Sequence, residues 1–143
     1  MTTDPLASPD SPTAPAGARR GRWARVAGPL LCDLAVVTVF VVIGRRSHDE
    51  GSDVAGLLRV WWPFAVALGV SGVASGAWRF PFRWGRVVAL WLGTVALGMV
   101  GRIVIQGREL KPSFVVVTAV FFALGMFGWR LVARWWARHR ATG

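Results

Sequence analysis

Asp33 is the residue whose type and position most invite chemistry. It is the only charge in an apolar run from Val26 to Gly44. On a helix it would lie about 10 Å along the axis from Val26. A charged Asp at the centre of a membrane helix costs about 2.5–3.5 kcal/mol on insertion scales, so it needs polar company. If successive helices alternate in direction, Ser71 and Thr94 reach a similar depth. These three residues are therefore expected to form an intramembrane polar cluster. Desolvation there favours the neutral form of an unpaired carboxyl. Two roles are open to Asp33: a proton or cation site, or a structural hydrogen-bond anchor. No second acid completes a proton relay, which favours the anchor.

A second group of chemically capable residues gathers near the opposite end of the first run: Arg45, Arg46, His48, Asp49, Glu50, Arg59 and Arg102. Arg59 and Arg102 are placed to pair with Asp49, Glu50 or Asp53 and so fix the first loop over the helices. An anion or metal site is the alternative. Three adjacent residues such as His48, Asp49 and Glu50 do not all point one way on a regular element. The other histidine, His139, falls at the far end of the chain, so a zinc ligand set is not expected. The sequence shows no phosphate-binding glycine loop, nucleophile elbow or zinc-protease helix. Neither an enzyme nor a cofactor is expected. Cys32 is the only cysteine. It excludes an intrachain disulfide and is read as a small core residue.

The elements that must position these residues follow from the apolar pattern. Of the 143 residues 54% are hydrophobic, with a mean hydropathy of +0.47. Their distribution is more informative than their total. Four long apolar blocks predict helices over about 26–44, 54–78, 87–107 and 112–133. About 20 apolar residues cross a hydrocarbon core about 30 Å thick. Residues 1–25 hold a Pro/Ser/Thr-rich stretch ending in Arg19, Arg20, Arg22 and Arg25. Too little apolar surface is available there to offset ordering, so a disordered tail is expected. Residues 134–143 read as a basic cytoplasmic tail. Pro63 falls inside the second block, where it can kink the helix. Four buried helices of a soluble protein would need a polar shell, and no residues remain to build one.

The fold class is thus all-α integral membrane, a compact bundle of four transmembrane helices. Net charge is +10. The basic residues flank the apolar blocks, which fits attraction to anionic lipid headgroups rather than a nucleic-acid face. With the N-terminus inside, 11 basic residues fall on the cytoplasmic side and six outside. Both termini are therefore expected in the cytoplasm. Trp23, Trp61, Trp62, Trp78, Trp84, Trp129, Trp135 and Trp136 lie near predicted helix ends, where indoles favour the headgroup boundary. Helix contact in lipid favours small residues. The second block presents Ala65, Gly69, Gly72 and Gly76. The third presents Ala89, Gly93, Gly98 and Gly101, and the fourth Gly125 and Gly128.

The early Asp33, the helix end Ile43-Gly44-Arg45-Arg46-Ser47-His48, and Arg59 followed by Trp62-Pro63-Phe64 form a recognisable series. With Gly98-Met99-Val100-Gly101-Arg102 and Ser113-Phe114-Val115, it resembles the bacterial family called domain of unknown function 3054. The resemblance runs from about Leu31 to Val132. It implies a small multi-pass bacterial membrane protein and supplies no catalytic residues. The expected role is a structural or partner-binding subunit of the bacterial inner membrane, in contact with a second copy or another membrane protein. The alternative is a small proton- or cation-coupled transporter, acting as an oligomer through Asp33. By analogy, small multidrug exporters also have four helices and one carboxylate in the first. This chain lacks a comparable set of first-helix aromatic partners.

Overall fold

A computed structural model describes residues 16–46, 53–107, 109 and 111–140 of the chain. It contains four helices: α1 Ala16–Arg46, α2 Val54–Ser75, α3 Trp84–Gln106 and α4 Pro112–Arg140. Each contains a segment long and apolar enough to cross a membrane, α1 through Val26–Arg45. Many large apolar side chains point outward, among them Val73, Val104, Val117 and Leu124. A water-soluble monomer does not expose apolar surface on this scale, whereas lipid tails cover it without cost.

Two helix ends are set by glycine. Gly76 (φ 61°) closes α2 and Gly107 (φ 60°) closes α3, both left-handed. A side chain is disfavoured in that conformation, so these glycines are the stop signals. The N–H of Gly76 donates to the carbonyls of Gly72 and Val73. At its other end α2 begins on Asp53, whose carboxylate accepts the Gly56 N–H at 2.8 Å. This is an N-cap.

The bounds differ from expectation in four places. α1 starts at Ala16, so the basic cluster lies on helix instead of in a disordered tail; residues 1–15 lie outside the described residues. α2 stops at Ser75, not Trp78, because Gly76 turns the chain. α3 spans Trp84–Gln106 rather than 87–107. α4 continues to Arg140, which makes most of the supposed basic tail helical. Arg side chains are good helix formers, so a basic flank does not end a helix.

The helices form a closed ring. α1 contacts α2, α2 contacts α3, α3 contacts α4, and α4 returns to α1. Side-chain contacts run in opposite directions along α1 and α4. Asp33 meets Arg130, Val36 lies against Gly125, and Phe40 lies 5.4 Å from Phe121 between ring centroids. The α2–α3 pair packs most extensively. Its closeness depends on small residues. A Cβ at Gly98 would fall 2.4 Å from the Phe64 ring, and one at Gly93 2.5 Å from Ser71 Oγ. The core between the helices is aromatic. Phe40, Phe64 and Phe122 meet edge to face at 5.1–5.9 Å. That geometry puts ring edges against ring faces, as the quadrupole favours.

Candidate functional site: a buried ion pair

At the end of the bundle where α1 starts, the α2–α3 turn folds over and α4 leaves, Asp33 and Arg130 form a salt bridge. Both side chains are fully buried, at 0% exposure. Arg130 Nη1 donates to Asp33 Oδ1 at 2.7 Å, and Nη2 to Oδ2 at 2.8 Å. This is the parallel two-bond fork that guanidinium and carboxylate geometry favour.

Three segments build the site. α1 supplies Asp33 on its inward face, near the buried Val37. α4 supplies Trp129 and Arg130. The Trp129 Nε1–H donates to Asp33 Oδ1 at 2.9 Å, and the Arg130 guanidinium carbon lies 4.3 Å from the centre of the Trp129 ring. The α2–α3 turn supplies Trp78 and Pro81. Trp78 Nε1–H donates to Asp33 Oδ2 at 3.1 Å, and Pro81 accepts from Arg130 Nε at 3.1 Å. Arg130 Nη1 also donates to the Met126 carbonyl at 2.7 Å, one helical turn back. The carboxylate therefore accepts four hydrogen bonds, two on each oxygen.

The placement of Trp78 explains two glycines. Its ring lies over Gly72, where an added Cβ would fall 2.3 Å from the ring atoms. Gly76 then supplies the left-handed turn that folds residue 78 back over the end of α2. Arg86 Nη1 fastens this turn by donating to the Ser75 carbonyl at 3.2 Å. Gly72 and Gly76 thus both shape this turn.

The expected cluster of Asp33, Ser71 and Thr94 is not formed. All three are buried, but the Thr94 hydroxyl donates to the Leu90 carbonyl at 2.7 Å within its own helix. Ser71 Oγ is buried against α3 at Gly93 and has no hydrogen-bond partner among the described residues. Asp33 takes its partners from α4 and the turn. Its two oxygens accept from four donors, none of them Ser71 or Thr94. Cys32, its neighbour, is exposed on the outside of the bundle and is not a core residue.

The sequence pattern alone places Arg130 in the basic flank after the fourth block and Trp78 and Trp129 at the headgroup boundary. The signal that could have identified them is depth. In an antiparallel ring, the start of α1 is level with the end of α4, and Arg130 is the first charge there. Trp91, the tryptophan deep in a block, has a different task. Its Nε1–H donates to the Ala119 carbonyl at 2.9 Å and joins α3 to α4.

The second expected group lies at the opposite end. Arg45 pairs with Asp53 at 2.9 Å, joining the end of α1 to the start of α2. The Gly56 backbone N–H, foremost, and Arg45 beside it hold the Asp53 carboxyl below the usual carboxylate range. The Arg102 guanidinium carbon stands 4.0 Å above the Phe114 ring. Arg59 is exposed, and its backbone carbonyl accepts from the Gln106 amide. His48, Asp49, Glu50 and the side chain of Arg46 lie outside the described residues.

Four apolar helices in a ring, closed at one end by a buried ion pair, define a multi-pass helical membrane protein. More narrowly, the chain belongs to a family of proteins of unknown function, DUF3054, whose model matches residues 30–133. The match includes both Asp33 and Arg130. No curated protein and no solved structure matches the chain.

Proposed function

We propose that this is a non-enzymatic multi-pass protein of the bacterial inner membrane, with both termini in the cytoplasm, acting as a structural or partner-binding subunit. One observation carries this reading: Asp33 is closed off by protein donors on both oxygens and has no exposure. A coupling carboxylate must exchange with water or substrate during each cycle. This one joins α1, α4 and the α2–α3 turn, which is what an anchor does. The carrier reading through Asp33 is therefore not favoured.

The orientation rests on the basic residues. Removing the buried Arg130 from the inside count leaves ten against six, and the bias keeps its sign. The natural occupants of the outer surface are lipid, a second copy or another membrane protein. A photo-cross-linker at Val73 or Leu124, both lipid-facing, reads these directly in native membranes. A discrete protein adduct is expected from one of the two positions; lipid adducts alone at both would overturn the subunit role. Proton-coupled flux in vesicles that disappears with Asp33→Asn in a protein that remains folded would overturn the anchor role.

A further inference from the structure

At one end of their seam α1 and α4 are joined by the Asp33–Arg130 pair, and Val36 lies against Gly125. Toward the opposite end the ring opens around a cleft of about 750 Å³. Its walls come from all four helices, among them Phe40, Val60, Gln106 and Phe121. Volumes of about 300–1,000 Å³ are usual for sites that enclose a small molecule. Phe40 and Val41 are buried and form the floor. Val117 also lines the cleft yet is exposed on the outside of α4, so the cleft opens sideways to the bilayer.

We propose that this cleft holds one acyl chain of a bilayer phospholipid, which completes the ring at the end away from the ion pair. Depth is the first reason. Val117 and Phe121 lie about 8 Å and about 14 Å along the α4 axis from Pro112. A hydrocarbon core about 30 Å thick leaves about 15 Å to each leaflet, so both residues stand among acyl chains. Chemistry is the second. Phe40, Val41, Val117 and Phe121 offer water no side-chain hydrogen bond, and apolar cavities stay dry. An empty cleft would forfeit the dispersion contacts of its walls. The third reason is that the chain has little of its own to put there. Ser47 to Ser52, Arg108 and Leu110 neighbour this end and lie outside the described residues; among them only Leu110 has an apolar side chain. A polar loop drawn to that depth would leave its polar groups unsatisfied. The charged side chains at the mouth are not needed to hold the hydrocarbon, and the site is independent of the anchor role proposed above.

The test is native mass spectrometry of the full chain in non-ionic detergent, with dipalmitoyl phosphatidylcholine as the probe. One bound lipid should survive the activation that strips the micelle. Val117→Trp, at an exposed position, should lose it by filling the cleft. Leu124→Trp, exposed two turns further along α4 and outside the cleft, should keep it. Palmitic acid, the hydrocarbon without the phospholipid, should not displace it. A second measurement on the unaltered chain holds even if Val117→Trp misfolds. Phosphatidylcholine with a diazirine in one acyl chain should form adducts at Val117 or Phe121 in preference to Leu124. No retained lipid would overturn the proposal, as would the same outcome, retention or loss, in both tryptophan variants. So would adducts spread evenly over the exposed residues, displacement by palmitic acid, or a lipid-free dimer that Val117→Trp breaks, which would give the cleft to a second copy.

Discussion

Replacing Arg130 by leucine removes the guanidinium and leaves the Asp33 carboxylate fully buried with only two indole donors, Trp78 and Trp129. The loss is larger than one ion pair. Arg130 also satisfies the Pro81 carbonyl and caps its own helix turn at Met126. Breaking a buried pair by removing one partner costs about 3–5 kcal/mol in soluble proteins, because the other charge is left uncompensated. Interhelical polar contacts in membranes average much less, about 0.6 kcal/mol, because the membrane-embedded unfolded chain finds other partners. The geometry here decides between these values. Four donors converge on one carboxylate from one helix and a turn, and a denatured helix one has no comparable set. We therefore expect Arg130→Leu to destabilise by about 3 kcal/mol or more. Asp33→Leu should do the same, leaving the arginine unpaired. The double variant should recover most of the loss, since well-packed apolar replacements of buried pairs are often neutral. The assay is reversible unfolding in mixed micelles of dodecylmaltoside and dodecyl sulfate, followed by tryptophan fluorescence, for the four members of the cycle. A coupling energy below about 1 kcal/mol, in the range of an exposed pair, would refute the reasoning.

Three further outcomes follow from the same packing. Gly72→Ala puts a methyl group where the Trp78 ring lies, so it should destabilise by about 1–3 kcal/mol, as overpacking does, and shift the Trp78 indole N–H resonance in detergent-phase NMR. Ser71→Ala removes a buried hydroxyl with no partner among the described residues, so stability in the same micelle titration should stay constant or rise. A clear loss would mean that Ser71 holds a bond the present geometry lacks. Asp53 titrates below the ordinary aspartate range, so its cap on α2 is fully present above that range. The cap is lost as pH falls through the lowered folded value. Amide exchange at Gly56 should quicken in acid relative to mid-helix amides, and Asp53→Ala should show the quick rate at every pH.

The membrane class, the number of spans and the family were legible in the sequence for one reason. Hydropathy is a sum over neighbours in the chain, and lipid imposes its length requirement on each segment separately. Small residues such as Gly93 and Gly98 were likewise recognisable as places of close helix approach, and the α2–α3 contact uses them. Asp33 was recognisable as a buried residue in need of partners. Which partners it took depended on which helix closes the ring beside α1 and how each is rotated, and no local pattern encodes either. Arg130 is 97 residues from Asp33, and in sequence it looked like one more member of a basic flank. Trp78 reaches the site because a left-handed glycine two residues earlier turns the chain back across the bundle. The tertiary structure thus converted a basic flank and two boundary tryptophans into the ligands of one carboxylate, because burial removes water and the nearest donors must replace it.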